Sequence, residues 1–224
     1  METINIDDYK IPVPARFMII GPSGSGKSFF TAQMIRQHET MFRKKADKII
    51  YYYSIIQPFM TKLLEEVPIM ELHQGFDPEL YKDRDPSTHL VLIIDDLMQE
   101  ENLYPELSSL FTRYSRHLNI TVLYLCQNAY FKGNTAAVRY GRDVLSNASE
   151  MVLFRNPRDS LASLSIGRAA YPHAYRWFKA VLADATKKSY SYLYLSFHPE
   201  TSEKLMVRSN IFFMTEVPII YTQP

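Results

Sequence analysis

The sequence predicts an α/β fold with a mostly parallel central sheet flanked by helices, and three observations predict it. Short apolar runs alternate with helix-length segments, the pattern of strands joined by crossover helices. Three of only 7 glycines (Gly21, Gly24 and Gly26) crowd into the stretch behind the first apolar run, so the backbone there has a special task. The run 90–94 is apolar without a break and ends in Asp95-Asp96, as expected of a central strand buried on both faces.

Taken in order, Arg16 to Ile20 is the first strand and 28–38 the first helix. A second strand covers 48–54, with Ile49, Ile50 and three tyrosines. The stretch 57–88 is helical at first and then loop-like, with Pro68, Gly75, Pro78 and Pro86. Strand 90–94 is followed by a helix over 104–116, and Ile120 to Cys126 is another buried strand. Residues 151–154 form a further strand, and 160–170 and 174–185 form helices. In 190–197 tyrosine alternates with Ser or Leu, which predicts an edge strand with one wetter face. A last strand is expected in 206–213. The organisation is an N-terminal arm (1–13), one domain (14–213) and a C-terminal tail (214–224).

Composition excludes several classes. The net charge of +1 gives no global attraction to nucleic acid, so any such contact needs a local patch. One cysteine, Cys126, permits neither an internal disulfide nor a cysteine-rich zinc site, which suits a reducing intracellular setting. The first residues lack a basic-then-apolar signal pattern, and no uncharged run approaches the ~20 residues that cross a bilayer. A soluble protein without a membrane partner is expected.

The chemistry sits in Gly21-Pro22-Ser23-Gly24-Ser25-Gly26-Lys27-Ser28, between a predicted strand and a predicted helix that Phe29 continues. This is the P-loop spacing in the context it needs. Its glycines let backbone N–H groups turn toward phosphate oxygens, and the helix amino end adds a favourable dipole. Lys27 neutralises the β- and γ-phosphates of ATP, and the Ser28 hydroxyl ligates Mg²⁺. Asp95, at the carboxyl end of its strand, holds the same ion through water, and Asp96 orients or deprotonates the attacking water. Gln127 and Asn128 end the next strand, where a polar pair can sense the γ-phosphate. The expected ligands are therefore ATP and Mg²⁺. Cys126 reads as a small buried hydrophobe.

Further segments carry a resemblance. The run from Ile120 to Gln127-Asn128, then Lys132-Gly133, Arg142, Leu145-Ser146-Asn147-Ala148 and Val152 to Asn156-Pro157-Arg158-Asp159 resembles the genome-packaging ATPases of Maverick/Polinton elements and adintoviruses. These group with the poxvirus-type packaging ATPases in the FtsK/HerA branch of P-loop NTPases. The similarity continues through Tyr171-Pro172, Asp184-Ala185-Thr186 and Arg208 to Phe212, nearly the whole chain. It implies a RecA-like ATPase core that forms a homo-oligomeric ring and drives double-stranded DNA into a capsid inside the host cell, with capsid or portal proteins as partners. One departure is Asp96, where many members of that branch carry Glu as the base; Glu100 and Glu101 are the reserve candidates.

In the resembled group an arginine supplied to the neighbouring subunit lies just ahead of the fourth strand. Arg113 and Arg116 occupy that place here, with Arg116 the first choice and Arg142 the other. Between 131 and 158 five basic residues face two acidic ones. Lys132, Arg139 and Arg142 are the candidate DNA contacts, sequence-independent and salt-dependent, and Tyr130-Phe131-Lys132-Gly133 is the candidate gripping loop. The clustered tyrosines are read as packing. Two other classes remain open on the same core: a small-molecule or nucleotide kinase, and a nucleotide-gated scaffold with little turnover.

Overall fold

A computed structural model describes residues 5–97, 103–130 and 135–223. Its strands are β1 (Arg16–Ile20), β2 (Lys48–Tyr53), β3 (Met70–Gln74), β4 (Leu90–Asp95), β5 (Ile120–Cys126), β6 (Glu150–Phe154), β7 (Tyr192–Ser196), β8 (Val207–Ser209) and β9 (Ile219–Ile220). Among the described residues these make one nine-stranded sheet in the order β3-β2-β4-β5-β1-β6-β7-β8-β9. The six strands from β3 to β6 run parallel, and β7, β8 and β9 are added antiparallel. The fold is thus mixed α/β with a large, mostly parallel sheet, as the sequence predicts.

Alternation along the strands separates two cores. Met18, Ile50, Leu92, Ile94, Val122 and Tyr124 point to one face. Phe17, Ile19, Ile49, Tyr51, Val91, Ile93 and Leu123 point to the other. The helices are α1 (Ile6–Tyr9), α2 (Lys27–Arg36), α3 (His38–Met41), α4 (Pro58–Glu66), α5 (Glu79–Lys82), α6 (Leu103–Ser109), α7 (Ser115–His117), α8 (Thr135–Asn147), α9 (Ser160–Ala170) and α10 (Tyr175–Ala185). Helices α6, α8, α9 and α10 cover the first face through Leu107, Val144, Ile166 and Phe178. Helices α2 and α4 cover the second through Phe30, Met34, Ile35, Met60 and Leu63. Both faces of the central parallel strands are therefore dry, which is why β4 and β5 read as unbroken apolar runs.

Several expectations are corrected. Strand β3 lies where the sequence looks loop-like. Only Met70 of its five residues is buried, because it is the outer strand of the parallel half and needs little apolar surface. The strand expected at an edge, β7, is interior: all five residues are buried, and β8 and β9 lie outside it. Its tyrosines alternate because one face packs on Phe30 and Phe17. The strand expected in 206–213 is confined to three residues, Val207–Ser209, and it is not the last, since β9 follows it; Asn210 turns the chain at φ 54°. Residues 104–116 are not one uniform α-helix; Leu110–Tyr114 forms a wider π-helical turn between α6 and α7.

Described residues near both termini pack and pair with the rest of the domain. Ile11 is buried, its N–H donates to the Met41 carbonyl, and its carbonyl accepts from Arg43. Ile219 and Ile220 pair with Ser209 and Arg208 as the outermost strand.

Candidate functional site

A cleft of about 650 Å³ opens at the carboxyl edge of the parallel strands. Ser23, Gly24, Gly26, Lys27, Ser28, Phe29, Gln57, Asp95, Asp96, Leu125, Gln127 and Tyr190 line it. Most of the sequence candidates therefore converge, because β1, β4 and β5 are neighbours whose carboxyl ends fall side by side.

The 21–28 loop is built on β1. The Gly21 N–H donates to the Cys126 carbonyl at 3.1 Å, extending the β1–β5 ladder one residue beyond the strand. A side chain at position 21 would meet Ser25 Oγ at 2.6 Å and Phe154 Cβ at 2.7 Å, so only glycine fits. Gly26 turns the chain into α2 at φ 108°, a conformation that strains any L side chain. Its carbonyl accepts from the Phe30 N–H at 2.9 Å and so opens the helix. The remaining N–H groups of the first helical turn have no place in the helical ladder. Ser25 Oγ is buried without a hydrogen-bond partner among the described residues.

Lys27 folds back over the loop. Its Nζ donates to the carbonyls of Gly21 at 2.6 Å and Pro22 at 3.1 Å, leaving one of three donors for another acceptor. Burial pulls its pKa down, opposed by the field of Cys126, Asp95 and Asp96. Across the cleft, Asp95 is buried at the end of β4. Tyr51, on β2, donates to Asp95 Oδ2 at 2.7 Å and fixes the carboxylate. Burial pushes the Asp95 pKa up, while the Tyr51 hydrogen bond and Lys27 pull it back down. Asp96 is exposed and turns at φ 55°, a left-handed conformation that Asp tolerates better than most residues. Gln127 is exposed on the cleft wall just past β5.

The donor set suits a hard divalent cation. The Ser28 hydroxyl and the Asp95 carboxylate are oxygen ligands of the kind Mg²⁺ prefers, and two acids facing one lysine leave negative charge to be balanced. Among the described residues no group of three or more His, Cys, Asp or Glu could hold a metal by itself, so such an ion would need further oxygens from water or phosphate. Burial raises the Cys126 thiol to about 12, which makes it inert, as its sequence position suggests.

Other candidates are not brought into the cleft. Gly21 lies beneath the loop, and Pro22 and Ser25 face a second, smaller cavity. Asn128 is half-buried beside the cleft wall and does not line it. Arg113 and Arg116 are exposed and precede the amino end of β5, at the sheet edge opposite the cleft. Arg116 is near enough to Arg16, at the start of β1, to help depress its pKa after burial has done so. Arg139 and Arg142 lie exposed on α8, a helix that the sequence reading did not place. Lys132, the rest of its loop after Tyr130, and Glu100 and Glu101 fall outside the described residues.

The structure adds Gln57, Tyr190 and Tyr51 to the site. Tyr51 fills the core as the sequence reads it and also bonds Asp95 from behind the cleft; Tyr190, read as packing, is exposed and lines the cleft wall.

No family model and no curated protein matches the chain. Among solved structures it is similar to the cytoplasmic domain of EssC, with 12% identity over 60% of this chain and a TM-score of 0.44. The chain spans 30% of that chain's length. So distant a likeness carries no argument about the site. No helix among the described residues is long and apolar enough to cross a membrane.

Proposed function

We propose that the protein is a P-loop ATPase with a RecA-like core of the FtsK/HerA kind, a motor that drives double-stranded DNA into a viral or virus-like capsid. The observation that carries the ATPase reading is the convergence, in one cleft, of Lys27 and Ser28 with Asp95, Asp96 and Gln127, which lie far apart in sequence. The packaging reading rests on the resemblance of the segments from Ile120 to Phe212.

In this reading the backbone of Gly21 to Ser28 cradles the phosphates, and Lys27 turns its free donor to them. Ser28 and Asp95 hold Mg²⁺, which when bound neutralises charge on the phosphate oxygens. Asp96 takes the proton of the attacking water, and Gln127 orients that water. The exposed Arg116, remote from its own cleft, is free to enter that of a neighbouring copy in a ring, a contribution worth roughly 10³ to 10⁵ in rate. Lys132, Arg139 and Arg142 would meet the DNA backbone, and capsid or portal proteins would dock the ring at the site of particle assembly in the host cell.

The test is ATP hydrolysis per subunit against protein concentration, with and without duplex DNA. A rate that climbs with both supports a shared-site motor. A rate independent of both removes the motor while leaving an ATPase, and no hydrolysis with no nucleotide binding removes both.

A further inference from the structure

A second cavity of about 340 Å³ lies against the other side of the 21–28 loop. Pro22, Ser23, Gly24 and Ser25 form one wall, and Arg155, Pro157 and residues 187–191 form the rest. Ser23, Gly24 and Tyr190 line both this cavity and the larger cleft, so Tyr190 stands at their junction.

Tyr190 is built unusually for a bulky residue. It adopts φ 64°, in the left-handed region that costs a non-glycine side chain about 1 kcal/mol or more. Its side chain gains no burial in return, being 69% exposed. In that conformation the ring lies beside the loop: a Cβ added to Gly26 would come within 3.3 Å of Tyr190 Cδ1 and 3.4 Å of its Cβ. A strained, exposed aromatic face leaning on a phosphate-type loop is an observation that packing does not explain.

The sheet order gives it a use. Asp95, Asp96 and Gln127 come from β4 and β5, on one side of β1. Tyr190 precedes β7, and Arg155 and Pro157 follow β6, on the other side of β1. A nucleoside triphosphate held by the loop with its terminal phosphate toward the acids must carry its sugar and base in the opposite direction, across Tyr190. We infer that Tyr190 is the platform on which the base of the bound nucleotide stacks, and that the smaller cavity receives the nucleoside. This rests on the proposed phosphate site and adds the residue that binds the rest of the ligand. Stacking reads the π-face common to all bases, and Arg155 and Lys188, which have no ion pair among the described residues, rim the cavity that takes the sugar.

The test is calorimetric titration of the full chain with ATP and, separately, with inorganic triphosphate, both with Mg²⁺, for the wild type, Tyr190→Phe and Tyr190→Ala. Alanine keeps a Cβ at the same φ, so the comparison isolates the ring. Tyr190→Ala is expected to weaken ATP binding by about 5- to 150-fold and to leave triphosphate binding within about twofold, while Tyr190→Phe binds both as the wild type does. Unchanged ATP binding by Tyr190→Ala overturns the platform and leaves the phosphate site intact. An equal loss of ATP and triphosphate also overturns it, since the ring would then serve only to shape the loop. A wild type that binds neither ligand removes the phosphate site, and the platform with it.

Discussion

Tyr51 donates a 2.7 Å hydrogen bond to Asp95 from the neighbouring strand. The register pairs Tyr51 with Ile93 and Tyr53 with Asp95, so the bond is a diagonal one on a single face of the sheet. Burial and the field of Asp95 hold the phenol protonated, well above its ordinary pKa, so it is a donor throughout the useful pH range. Asp95 also lines the cleft, and only its Oδ2 is engaged by Tyr51.

Tyr51→Phe is expected to fold, because only a hydroxyl is lost. An unpaired buried carboxylate costs about 1–3 kcal/mol. The hydrogen bond holds the Asp95 pKa down against burial, so its loss raises that pKa further. Nucleotide binding that requires Mg²⁺ should then need roughly 10-fold more of the ion, and the acid limb of the pH profile should move to higher pH. Titrating Mg²⁺ at fixed nucleotide checks both; an unchanged Mg²⁺ requirement would show that Tyr51 merely packs.

Lys27→Ala removes the ammonium that bridges the Gly21 and Pro22 carbonyls. Turnover should fall by at least on the order of 10², with the melting curve still cooperative. Steady-state hydrolysis in a preparation shown to be folded checks it, and retained turnover would sink the site.

Glu150 is fully enclosed at the start of β6. Tyr194 donates to its Oε2, and its Oε1 has no partner among the described residues. Burial raises its pKa from 4.5 to about 7, against Tyr194, Ser196, Arg208 and Arg16, which pull it down. A folded-state pKa above the unfolded one means that the native chain keeps its proton longer. Stability from this group is therefore complete below about pH 4.5 and is lost as pH rises through about 7. The shift corresponds to about 3 kcal/mol. Glu150→Gln should flatten that falling limb and exceed the wild type in stability above neutrality, as read by urea unfolding between pH 5 and 8.

Gly167 marks where α9 meets α10. A Cβ there would meet Phe178 Cδ1 at 2.0 Å and Cε1 at 2.1 Å. Alanine ordinarily gains about 1 kcal/mol over glycine inside a helix. Here overpacking against a fully buried ring costs about 1–3 kcal/mol, so Gly167→Ala should lower the melting temperature without touching the cleft. A raised melting temperature would show that the two helices can separate at little cost.

Much of the fold and site is legible in the residues themselves. Placement that depends on local spacing survives reading without coordinates: Gly21 to Ser28 behind a strand, and Asp95-Asp96 ending an apolar run. So does the burial of β4 and β5, since two covered faces demand unbroken apolar side chains. Strand β3 is not legible, because it needs only one buried residue; helix α8 does carry apolar residues at helical spacing, Ala137, Tyr140, Val144 and Leu145, but its arginines draw the eye to charge instead.

The sequence by itself determined the glycine-rich turn between β1 and α2, the acidic strand end and the α/β alternation, because each follows from bonds within a few residues of one another. Only the tertiary structure decided that β7 is interior, that residues 219–220 close the sheet, that Arg116 lies at the edge remote from its own cleft, and that Tyr51 and Tyr190 belong to the site. Those outcomes depend on which strands become neighbours, and strand order is set by how whole faces pack.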